Sequence, residues 1–234
     1  MKIKIALVLI ILLTSCAELQ TIADTVLEDS SSLTDSQIGK GLKEALEKGV
    51  ETEVQKLTLK DGFYRNELVK IILPEEIQNV DKALRKVGLG SVADEGIKLM
   101  NRAAEEAVKE ATPIFLDAIE EMTITDAKSI LLGDKNAATL YLENKTQTEL
   151  YAKFLPIINS SFSKVGADEI WTMAIDKYNS LPLTQDVNNN LTEYVTQEAL
   201  NSVYKMIEVE ELKIRNDIGE RTSNLLQQVF ALQD

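Results

Sequence analysis

The chain has 234 residues, of which 44% are hydrophobic and 5% aromatic, with 10 Gly and 4 Pro, a composition that excludes wholesale disorder and favours helices over a turn-rich sandwich. Its 25 basic residues stand against 38 acidic ones; without Lys2 and Lys4 of the leader the balance is 23 against 38, a net charge of −15 that repels phosphate backbones and argues against a nucleic-acid partner. Histidine is absent and Cys16 is the single cysteine, so Ser-His-Asp and Cys-His nucleophiles, thiol redox chemistry and the His or Cys ligands of zinc, copper and haem are all excluded.

Residues 1–15 read as a signal peptide: Lys2 and Lys4, then an apolar run from Ile5 to Leu13 that is shorter than the roughly 20 residues a membrane-spanning helix needs. Leu13, Thr14, Ser15 and Cys16 resemble the bacterial lipobox, which implies cleavage before Cys16 and acylation of its sulfur and new amino group. The membrane is then a partner through acyl chains on Cys16, and the protein is extracytoplasmic. Residue 17 is Ala and not Asp, which in a two-membrane bacterium resembles the pattern sent on to the outer membrane, facing the periplasm. Residues 16–33, polar and with a Ser30 to Ser32 run, form the acylated cysteine and a flexible tether.

Residues 34–234 are expected to form a single all-α, bundle-like domain, since about 200 residues fit one core. Thr34 with Gln37 makes a capping box for a helix whose apolar face runs Ile38, Leu42, Ala45, Leu46, Val50, Val54 and Leu57. Asp61-Gly62 breaks it, and Val69 to Leu73 is an extended connection laid over the core. Pro74, Glu75 and Glu76 start the next helix, Gly88 and Gly90 close it, and Ser91 with Asp94 opens a long one.

The stretch Asn101 to Thr146 is the packed centre, with Ala104, Ala107, Val108, Ala111, Phe115, Ala118 and Met122 at helical spacing. Thr112-Pro113 restarts or kinks the helix, Thr123 with Asp126 is a second capping box, and Gly133-Asp134 is a stop and a start. Thr146 with Glu149 is read as the cap of a further helix bent near Pro156, and Lys145 as an end-of-helix cation. Trp171, Ile175 and Tyr178 share a face, residues 181–190 read as a loop, and two last helices carry Val195, Ala199, Val203 and Ile207, then Leu225, Val229 and Leu232.

Three polar sets are candidates for chemistry. Asn101 and Glu105 share a helix face, and Arg102 lies within pairing distance of Glu105 or Glu106, either as a buried network fixing the helix or as a fork for an acidic ligand. Asp117, Glu120, Glu121 and Asp126 supply the carboxylates a glycosidase needs, without the aromatics of a sugar cleft. Asn136 to Tyr141 offers small residues to a neighbouring helix. Calcium-loop lookalikes at Asp134 and Asp186 lack the turn glycine and the final acid, and a di-iron Glu-x-x-His pattern cannot occur. No metal or cofactor is called for.

GLKEAL at 41–46, DGF at 61–63, IxLP at 71–74, NRAAE at 101–105, DAKSIL with Gly133, AAT with Tyr141, Lys145-Thr146, FLP at 154–156 and late EL-IR and LL-VF patterns occur in order. Together they resemble the bacterial family known as domain of unknown function 4197. The resemblance implies an exported, often lipid-anchored helical domain without an established activity. It places Asn101, Arg102, Glu105, Asp126, Thr139, Tyr141 and Lys145 on motif positions. Members usually read IPLP where this chain has IILP.

The functional expectation is a lipid-anchored envelope protein that binds or supports something, its partner an envelope protein or a small anionic ligand held where Arg102 and Lys145 converge. The alternatives are a carboxylate-dependent hydrolase of cell-wall glycan and a carrier of apolar ligands.

Overall fold

A computed structural model of the chain describes residues 33–86, 88, 90–165, 171, 172, 175, 176, 179 and 190–233. The leader, Cys16, the tether up to residue 32, Tyr178 and the expected loop at 181–189 lie outside the described residues. The described part is helical, and no strand occurs in it, so the fold is all-α. The helices are α1 (Asp35–Thr58), α2 (Glu75–Lys86), α3 (Gly90–Ala107), α4 (Ala111–Glu120), α5 (Ile124–Leu131), α6 (Ala137–Val165), α7 (Leu191–Asn216) and α8 (Asn224–Phe230). Short 3-10 turns cover Val108–Glu110 and Ile218–Glu220.

Local chemistry explains most boundaries. The Thr34 hydroxyl accepts from the Gln37 amide, whose side chain accepts from the Thr34 N–H, so both exposed donors at the start of α1 are satisfied. Thr123 and Asp126 do the same for α5. Ser223 caps α8 by accepting from Leu226 N. α4 begins at Ala111, which puts Pro113 in the first turn, where a missing N–H costs nothing.

Two helix signals act differently from their sequence reading. The long helix opens at Gly90, and the Asp94 carboxylate pairs with Arg85 at 2.5 Å across the α2–α3 connection. Thr146 caps nothing: it lies buried inside the 29-residue α6, donating to Leu142 O at 2.6 Å, with Tyr204 OH 2.9 Å away. Lys145 is therefore mid-helix as well. A threonine can return its hydroxyl to the carbonyl four residues back, so the Thr-x-x-Glu pattern is not specific to helix starts.

α1 packs against α4, α5, α7 and α8, while α6 packs against α3, α4, α5 and α7. One continuous core runs from Ile38 to Phe230. The Asn101 to Thr146 stretch contributes much of it, with Ala104, Ala107, Val108, Ala111 and Phe115 fully buried, alongside α1 and α7. Small residues on α3 and α4 let neighbouring helices come close, and Phe115 fills the remaining volume edge-on against Tyr204, with ring centroids 5.8 Å apart. Trp171 and Ile175 join this core. Leu232 does not: it follows the end of α8 and is half exposed, its expected place being taken by Phe230.

Between α1 and α2 the chain crosses the core without regular structure. Asp61 adopts φ of +71°, a left-handed conformation that aspartate tolerates better than most residues. Gly62 follows because a Cβ there would lie 2.4 Å from Lys56 O. Val69 is buried at the end of a turn from Asn66, and Ile71 and Leu73 then point inward along the extended run over the core.

Candidate functional site

A non-helical segment laid on a core cannot satisfy its own backbone, and burial without partners costs about 1–3 kcal/mol for each polar group. α3 supplies the partners. Asn101, completely buried, accepts from Ile71 N at 2.9 Å and donates to Ile71 O at 2.8 Å, with a further bond to Ile97 O. One turn later Glu105 Oε1 accepts from Phe63 N at 3.2 Å, and its Oε2 receives Arg102 at 2.5 Å. The other arm of Arg102 meets Asp61, whose second oxygen lies 3.3 Å from Arg65. Burial opposes the Arg102 charge, but the bonds to Glu105 and Asp61 outweigh it and hold its pKa above the ordinary value.

The second network lies where α5 ends and α6 begins. The first turn of a helix leaves N–H groups unpaired and carries partial positive charge, so a carboxylate fits there. Glu211 of α7 accepts from Ala138 N at 3.0 Å, Thr139 N at 2.9 Å and the Thr139 hydroxyl at 2.8 Å. Arg215, one turn further along α7, meets the same carboxylate with two nitrogens at 3.0 and 2.8 Å. Its guanidinium also donates to Ile130 O at 2.8 Å and Leu131 O at 3.2 Å at the end of α5, carbonyls that accept from Gly133 N and from the Gln233 side-chain amide as well. One buried ion pair thereby closes both helix ends around the Gly133 turn.

Of the remaining candidates Lys145 is exposed, while Asp126 and Tyr141 are half-buried, Tyr141 packing against the core. Asp126 is held to Thr123 by its capping bonds, and these bonds, aided by the Lys145 charge, keep its carboxyl below the usual range. Lys145 Nζ lies 5.7 Å from the Tyr141 ring centre. Burial first, then Asp126 and Glu121, push the Tyr141 hydroxyl above its ordinary value. Asp117, Glu120 and Glu121 are exposed.

The seven motif residues thus fall into three groups: Asn101, Arg102 and Glu105 at the α1–α2 segment, Thr139 at the α6 start, and Asp126, Tyr141 and Lys145 outside. The Arg102 fork is filled by Asp61 and Glu105, and Lys145 belongs to a different group. Sequence reasoning missed Asp61, Glu211 and Arg215 as members, although Asp61 and the Glu211–Arg215 spacing are in the DGF and EL-IR motifs. It also missed Glu53, buried on α1 with Lys56 at 2.5 Å on one oxygen and no hydrogen-bond donor for the other among the described residues. A cavity of about 20 Å³ lies between α1, α7 and α8 beside Glu211, room for one water rather than an apolar ligand. Among the described residues no group of three or more acids forms a metal-binding cluster, and no helix is long and apolar enough to cross a membrane.

Fold and networks together define an all-α domain whose motif residues fasten irregular segments and helix ends to a helical core. The chain belongs to the family described as protein of unknown function (DUF4197), whose model matches residues 32–231. No curated protein and no solved structure matches it.

Proposed function

We propose that this protein is a lipid-anchored component of the cell envelope whose helical domain works as a binding or structural module. In a two-membrane bacterium it hangs from the outer membrane into the periplasm. The observation that carries the module reading is the direction of the motif side chains: Asn101, Glu105, Glu211 and Arg215 turn inward onto backbone groups of their own chain, and the Thr139 hydroxyl turns inward onto the Glu211 carboxylate. Such residues keep one rigid surface in register, which is what a partner would recognise. The anchor reading rests on the lipobox ending at Cys16.

Export with metabolic fatty-acid labelling tests the anchor. The wild-type chain is expected to mature with acyl mass on Cys16 and to fractionate with membranes, whereas Cys16→Ser releases it. Crosslinking and pull-down of the acylated protein in its native envelope tests the module reading. A stable, specific crosslinked species supports it, and turnover of cell-wall glycan by the purified protein overturns it.

A further inference from the structure

We propose that the irregular stretch between α1 and α2 is a lipid-contact surface that lays the domain against the headgroup layer of an anionic bilayer. The proposal deepens the membrane-anchored reading above and rests on it. Leu59, Leu68 and Ile72 are 59%, 62% and 56% exposed, three large apolar side chains within fourteen residues. Leu68 projects from the turn at 67–69, and in the extended run that follows the burial of Ile71 and Leu73 leaves Ile72 outward, with Lys70 half-buried between the two.

The surface is rigid from beneath. Asn101 brackets Ile71, the Ser202 hydroxyl donates to Val69 O at 3.3 Å, and Tyr194 OH donates to Ile72 O at 3.0 Å. Apolar groups held out on a fixed backbone meet a bilayer without a further ordering cost. The same bonds argue against an extended peptide as the occupant: the Ile71 N–H and the carbonyls of Val69, Ile71 and Ile72 already have partners, so little edge is left for a strand to pair with.

Charge points to the same ligand. Within residues 59–74 Lys60, Arg65 and Lys70 stand against Asp61 and Glu67, a net of +1 on a chain that carries −15 after its leader, with Asp94 of α3 near enough to Lys70 to feel its charge. Cations alternating with apolar side chains suit the boundary between anionic headgroups and acyl chains, while the acidic remainder is held away. Residues 17–33 extend to about 60 Å at most, so an anchor at Cys16 keeps this surface within reach of the bilayer.

The test uses a chain starting at Ala17, which lacks the acylated cysteine and keeps Leu33 and the whole described core from Ile38 to Phe230. It is sedimented with vesicles of phosphatidylethanolamine and phosphatidylglycerol. Retention is expected, weakened by salt and by replacing phosphatidylglycerol with phosphatidylcholine. Leu68→Asp with Ile72→Asp lowers partitioning on the order of a hundredfold, whereas Leu132→Asp, exposed on the α5–α6 connection, leaves it unchanged. Lys60→Glu with Arg65→Glu is a second variant, at exposed positions, and also lowers it. No retention on anionic vesicles, equal retention of wild type and the Leu68/Ile72 variant, or an equal loss with Leu132→Asp overturns the proposal. Acylation is read separately, by the mass of the exported full chain, so either reading can fail without the other.

Discussion

The side-chain amide of Asn101 does for Ile71 what a neighbouring strand would do, taking its N–H and returning a donor to its carbonyl, at 2.9 and 2.8 Å. Replacing Asn101 by Leu leaves both Ile71 groups buried and unpaired. The expected loss is about 2–5 kcal/mol, read as a lower urea midpoint at unchanged slope. A loss within 0.5 kcal/mol, by order of magnitude, would mean the segment finds water instead.

Arg102→Met separates a structural fork from a ligand-binding one. With Asp61 and Glu105 engaged, the substitution leaves a mostly buried carboxylate with a missing partner, and stability is expected to fall by roughly 1–3 kcal/mol. Calorimetry that shows an unchanged melting temperature, together with loss of a bound anion in native mass spectrometry, would support the ligand fork.

Glu211 and Arg215 act as a unit, so their single and double replacements are not additive. Glu211→Leu strands Arg215 and the first amides of α6 and is expected to cost about 3–5 kcal/mol. The Glu211→Leu, Arg215→Met double variant costs less than the sum of the singles, by about 1–3 kcal/mol of coupling in a denaturation cycle. Additive losses would show that the pair is incidental.

The helical framework was legible because capping chemistry is local: Thr34 with Gln37 and Thr123 with Asp126 carry their partners three residues away. The connection laid over the core from Val69 to Leu73 was legible as a break between helices, but which of its side chains turn inward was not, since the turn at 67–69 interrupts any regular alternation. Thr146 misled because its hydroxyl has two uses, a cap or a bond to the carbonyl one turn back, and only burial against Tyr204 decides between them. The networks were half legible. Asn101, Arg102 and Glu105 stood out as a cluster on one helix, but Asp61 lies 41 residues from Arg102 and Glu211 lies 72 from Thr139, separations that helical periodicity does not address.

Gly96 sits against the only tryptophan: a Cβ built there lies 2.6 Å from both Cζ2 and Nε1 of Trp171. Gly96→Ala is therefore expected to displace the indole from its buried site, red-shift its emission and cost about 1–3 kcal/mol despite the better helix propensity of alanine. An unshifted emission with a gain in stability would show that the contact relaxes freely.

Tyr204 gives the fold an alkaline limit. Burial, partly offset by the bond to Thr146, pushes its hydroxyl from 10.0 up to about 12. The unfolded chain then loses this proton first, so between about pH 10 and 12 the folded state holds more protons and stability falls as pH rises; below the unfolded value the contribution is fully present. Tyr204→Phe removes the titrating group together with its bond to Thr146. At neutral pH the variant is expected to lose about 0.5–1.5 kcal/mol, and its unfolding free energy should decline less steeply across the alkaline window than that of wild type. Parallel alkaline slopes for the two proteins would locate the sensitivity elsewhere among the tyrosines and lysines.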